Sequence, residues 1–130
     1  MTEGIAALAR ALALTLVIEA AAAFAAGVRE KRDFALICGA NMITNPAMNI
    51  LLSAAVLRLN GNEVYSVLAL VLLETAVVFA EYAIFRKTLI YRRIPPLAFS
   101  ALINAASFIL GALIYRFVFN ETQFGSLHIF

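Results

Sequence analysis

Carboxylates and amides recur inside stretches of this chain that are otherwise apolar: Glu19, then Asn41, Asn45 and Asn49, then Glu74 and Glu81, then Asn104. An acid left unpaired at membrane depth costs about 2.5–3.5 kcal/mol on insertion scales. A set that touches every apolar stretch points to a shared polar site between helices. Such a site could bind an ion, relay a proton or act as counter-ion to a cationic solute. The plainer alternative is structural. Each acid would then be protonated and bonded to a neighbouring helix, and each amide would bridge helices for about 0.6–2 kcal/mol.

Spacing adds detail. Asn41, Asn45 and Asn49 recur every fourth residue and share one helical stripe. Pro46 follows Thr44-Asn45 within that stretch, removing one backbone hydrogen bond and freeing the Met42 carbonyl. Membrane helices tolerate such breaks where polar groups or water take over the freed carbonyl. A carbonyl beside Asn41, Thr44 and Asn45 would make a dense set of oxygen ligands, suited to a cation or a proton-linked polar solute. For Thr44 and Ser107 the favoured reading is a bond back to a carbonyl of their own helix. Glu81 is expected near the interface, paired with Arg86 or Lys87.

Four apolar segments must position these residues, at about 5–27, 34–59, 65–85 and 97–119, with a polar tail over 120–130. Each can cross a hydrocarbon core of about 30 Å, which takes about 20 helical residues. Backbone groups in lipid are satisfied within helices, so the expected fold is an all-α membrane protein of four spans in two hairpins, one domain over 1–130. Asn60-Gly61-Asn62 marks the turn between spans two and three, and Pro95-Pro96 opens span four. Seven of the ten Lys and Arg lie in the loops after spans one and three: Arg29, Lys31, Arg32, Arg86, Lys87, Arg92 and Arg93. The positive-inside rule puts both loops in the cytoplasm and both termini on the other side. The start lacks a basic leader region and is read as part of the first span.

The hairpins echo each other. Glu19-Ala20-Ala21-Ala22-Ala23-Phe24-Ala25 resembles Glu74-Thr75-Ala76-Val77-Val78-Phe79-Ala80, and Asn41-x-x-Thr44 resembles Asn104-x-x-Ser107. This leaves open a parallel internal duplication with a pseudo-two-fold along the membrane normal. Ala and Phe are common here, so matches by chance come cheaply.

At 64% hydrophobic and 14% charged, the chain has too little polar surface for a soluble domain. Its net charge of +2 arises from the loops and is a topology signal, so no nucleic-acid partner is expected. Cys38 is the only cysteine and is read as a packing residue, and His128 falls in the tail. There is no HExxH, Ser-x-x-Lys, Gly-rich phosphate loop or His/Cys cluster. No catalytic residue or cofactor is therefore expected, and no metal is identified. In size, span number and an acid in the first helix the chain is similar to the small multidrug transporters, with no further motif of theirs matched.

The leading expectation is a small multi-pass inner-membrane transporter or channel-like protein for a cation or small polar or cationic solute. Its binding residues would be Glu19, Asn41, Thr44, Asn45, Pro46, Glu74, Asn104 and Ser107. Four helices enclose little volume, so a homo-oligomer in membrane lipid is expected. The alternatives are a non-catalytic subunit of a larger membrane complex and, third, an intramembrane enzyme acting on a lipid-linked group.

Overall fold

The computed structural model describes residues 2–118; the tail with Asn120-Glu121-Thr122 and His128 lies outside them. Among the described residues there are four helices and no strands: α1 (Thr2–Ala26), α2 (Lys31–Arg58), α3 (Glu63–Thr88) and α4 (Pro96–Val118). All four are long and apolar enough to cross a membrane. α1 and α3 each lie against α2 and α4, and neither diagonal pair comes into close backbone contact, so the helices form a square. Helices without diagonal contact leave a central axis lined by four inner faces.

Local chemistry sets the ends. Gly27, at φ 105°, closes α1: Val28 N–H donates to the Ala23 carbonyl and Gly27 N–H to that of Phe24. This pairing is the Schellman motif, and Val28 packs with Ala23 in the core as the motif requires. Asn60, at φ 53°, closes α2 in the same way, with Gly61 N–H donating to the Val56 carbonyl. Asn62 then caps α3, its side chain accepting from Val64 N–H and Tyr65 N–H. Two of the loop arginines also serve as caps. Arg29 donates to the Phe24 and Val28 carbonyls, and Arg92 donates to the Arg86 and Tyr91 carbonyls. Each reaches a carbonyl in the last turn of a helix, where the dipole favours a cation.

The bundle is apolar outside and mixes polar with apolar residues inside. Large side chains such as Val17, Ile43, Leu57 and Leu72 face outward, while Thr15, Glu19, Asn41, Ser66, Glu81, Ser100, Asn104 and Ser107 are buried. The main apolar cluster lies at the end that carries the basic loops, and Ala11, Met48, Leu52 and Leu70 are buried farther from it. At the basic end Ala23, Val28, Ile37, Ala40, Phe85, Leu89, Phe99 and Ile103 form this cluster, with the Phe99 ring against both Phe85 and Tyr91.

Asp33 ties the two basic loops together. It is fully buried, and its two carboxyl oxygens accept from Ile90 N–H (3.0 Å) and Tyr91 N–H (2.8 Å). The Tyr91 hydroxyl continues the link by donating to the Ala26 carbonyl at the end of α1. Asp33→Ala would leave two buried N–H groups without an acceptor. We expect it to destabilise the folded protein by about 2–4 kcal/mol, read from thermal or denaturant unfolding in detergent.

Candidate functional site

The polar layer is built around two glutamates. Glu81 on α3 is fully buried and takes a hydrogen bond from each flanking helix: Thr44 Oγ1 of α2 donates to Oε1 (2.9 Å), and Asn104 Nδ2 of α4 donates to Oε2. Glu19 on α1 is 1% exposed, and its Oε1 accepts from Ser107 Oγ of α4 (3.1 Å). The Asn41 amide of α2 lies beside Glu19. Each acid is therefore flanked by one hydroxyl and one amide drawn from α2 and α4. The assignments are crossed: Asn41 with Ser107 for Glu19, and Asn104 with Thr44 for Glu81.

This arrangement corrects the expected role of Glu81. It is a buried junction between three helices, not an interfacial partner of Arg86 or Lys87. The cause is an element boundary. α3 runs on to Thr88, past the expected end at Phe85. At 1.5 Å per residue, Glu81 then lies about 10 Å from the end of its helix, as Glu19 does from the end of α1, while Glu74 lies at about 21 Å. The residues that matched Glu19's neighbours to Glu74's (Ala21, Phe24 and Ala25 against Ala76, Phe79 and Ala80) all face outward. They report the composition of an apolar surface and carry no information about the interior.

A cavity of about 30 Å³ opens among the polar residues. Seven of the eight expected site residues line it: Glu19, Asn41, Thr44, Asn45, Glu74, Asn104 and Ser107. Thr15, one turn before Glu19, also lines it and was missed; its signal was a hydroxyl four residues from an acid in an apolar helix. No Lys, Arg or His is among the lining residues. Pro46 is not among them either, and α2 continues through it as one helix. Asn49 turns back on its own helix, donating to the Asn45 backbone and side-chain oxygens. Thr44, expected to bond back along α2, reaches across to Glu81 instead, whereas Ser107 bonds both to Glu19 and back to the Asn104 carbonyl.

Two buried oxygens in this layer have no donor: Glu19 Oε2 and Asn41 Oδ1. Glu74 is half-buried where the cavity meets a larger apolar groove of about 280 Å³ between α3 and α4, lined by Leu70, Val71, Val78 and Ala101 among others. Glu74 and Asn104 belong to both spaces. Toward the basic end, the layer abuts Ile37, Phe85, Phe99 and Ile103 of the apolar cluster. No known protein family, curated protein or solved structure matches the chain.

The Glu81 junction has a signed consequence. Asn104→Leu would strand Glu81 Oε2 and is expected to destabilise the bundle by about 1–3 kcal/mol. Adding Glu81→Leu removes the stranded acceptor and should recover most of that loss, because removing both partners costs less than removing one. Unfolding titrations of the single and double variants in detergent measure the difference.

Proposed function

We propose that this chain is a small four-span transporter or channel-like protein for a cation or small cationic or polar solute. The observation that carries the reading is the convergence of Glu19, Glu74 and Glu81 in the interior of the bundle, with no basic side chain lining the cavity beside them. Three carboxyls brought together in a low-dielectric interior need protons or cations to neutralise them. Glu19, Asn41, Thr44, Asn45, Glu74, Asn104 and Ser107 would serve as the binding set, while Pro46 has no part in it.

The rest of the reading follows from the same features. The seven loop bases argue for a cytoplasmic basic end, both termini outside, and a single domain in the inner membrane. A cavity of about 30 Å³ holds about one water, so a path for a solute requires helix movement or a second copy of the chain. Homo-oligomerisation is the economical solution. The hydrogen-bond pattern also supports an internal duplication, in a register that pairs Glu19 with Glu81, Asn41 with Asn104, Thr44 with Ser107 and Arg29 with Arg92. A second reading, a non-catalytic subunit of a larger membrane complex, draws support from the apolar groove between α3 and α4, which a partner helix could fill.

Flux measured in proteoliposomes tests the first reading. A panel of monovalent cations and small amines should include one that is carried by the wild-type protein, with flux reduced by about tenfold or more in Glu19→Gln and Glu74→Gln at unchanged thermal stability. Undiminished flux in both variants contradicts the reading.

A further inference from the structure

The two glutamates of the polar layer differ in one respect. Both oxygens of Glu81 are engaged, by Thr44 and Asn104. Glu19 has one oxygen engaged, by Ser107, and one, Oε2, without a donor. Asn41 likewise holds a buried acceptor, Oδ1, without a donor. Glu19 is 1% exposed and Asn41 2%, so bulk water does not satisfy either oxygen. Both side chains line the same cavity of about 30 Å³, which has room for one occupant the size of a water molecule. Two buried acceptors beside such a space require something that donates or carries positive charge, since an unmade hydrogen bond costs about 1–3 kcal/mol per group.

A water molecule donates to both oxygens but leaves the carboxylate charge unpaired; a proton on Glu19 neutralises the carboxyl and supplies a donor. A cation is the alternative to the proton, because it neutralises the carboxylate and accepts coordination from both oxygens. The two states carry the same net charge within the layer. They are mutually exclusive, since a cation bound to Glu19 takes the place of its proton. We propose that Glu19 and Asn41 form a site for one small monovalent cation of the alkali class, which enters as the Glu19 proton leaves to bulk solvent. This deepens the transport reading and rests on it for the location of the site.

The chemistry of the neighbours sets the cation class. The lining donors are carboxyl, amide and hydroxyl oxygens, the ligand type of hard cations. Among the described residues no group of three His, Cys, Asp or Glu is placed to hold a metal ion, and Glu19 is the one acid of the Glu19–Asn41 pair, so a single positive charge matches it. The groups acting on Glu19 are spread over the bundle. α3 contributes Glu81 and Glu74, α2 contributes the Asn41 amide, and α4 contributes the neutral Ser107. None is basic, so nothing within the layer competes with a cation for the carboxylate.

Cation-linked proton release tests the site at equilibrium, without a membrane gradient. Purified protein in detergent and weak buffer, with a pH-indicating dye, is titrated with Li⁺, Na⁺ or K⁺ chloride against choline chloride. We expect at least one alkali cation to release about one proton per chain, and choline none. Glu19→Gln should abolish the release while keeping the wild-type elution volume and melting temperature. Asn41→Leu should shift the titration midpoint to about tenfold higher cation concentration, as for the loss of one ligand. If Glu19→Gln fails to fold, the choline control and Asn41→Leu decide the matter. Release by no alkali cation, or release undiminished in a folded Glu19→Gln, overturns the proposal. Proteoliposome flux without cation-linked proton release would overturn it and leave the transport reading standing. Release without flux would support the site and remove the transport reading.

Discussion

The structure depends on the burial of carboxyl groups in a bundle whose outer surface is apolar. In lipid, apolar side chains gain little by meeting one another, so helices are held by close packing and by polar contacts across their interfaces. Glu81 meets that need from one position. A single carboxyl draws Thr44 from α2 and Asn104 from α4 against α3. Ser100 adds a second α4-to-α3 link by donating to the Val78 carbonyl. Ser107 then carries the connection from α4 to α1 through Glu19. All four helices are thus chained through a layer of side-chain hydrogen bonds and the Asn41 amide that lies against Glu19.

The layer works because the ends of the bundle are fixed independently. At the basic end, an apolar cluster, the buried Asp33 and the Tyr91 hydroxyl join the two loops. Arg29 and Arg92 cover the helix ends there with matching hydrogen bonds, each to the carbonyl of the preceding residue and to one further back at the end of the helix. The hairpins therefore present Glu19 and Glu81 at like depth, each between an amide and a hydroxyl. What distinguishes the two acids is completeness: Glu81 has its full set of donors, and Glu19 keeps one oxygen in reserve. The complete acid reads as structural and the incomplete one as available to a ligand.

Much of this was legible in the sequence. Helix number, the turns at Gly27 and Asn60-Gly61-Asn62, and the inward position of Glu19, Asn41, Asn104 and Ser107 follow from apolar lengths, turn residues and the cost of polar groups in lipid. The errors have physical causes. A basic residue, Arg86, suggests an end at Phe85, but the helix continues to Thr88 and carries Glu81 inward. The Glu74 echo was carried by outward-facing Ala and Phe, whose recurrence reflects composition. At Pro46 the missing N–H interrupts a single bond, and α2 stays helical on both sides. Asp33 was passed over because a charged residue beside a basic loop looks solvated until the second loop folds over it.

On this reading Glu19 exchanges a proton for a cation while Glu81 holds the helices together. Difference infrared spectroscopy of the detergent-solubilised protein, recorded on replacing choline with an alkali cation, tests it most directly. The wild-type protein should lose a protonated carboxyl C=O band and gain a carboxylate band, both absent in Glu19→Gln and both retained in Glu81→Gln. An unchanged wild-type spectrum with every alkali cation, or a change that disappears with Glu81 and survives the loss of Glu19, would contradict it.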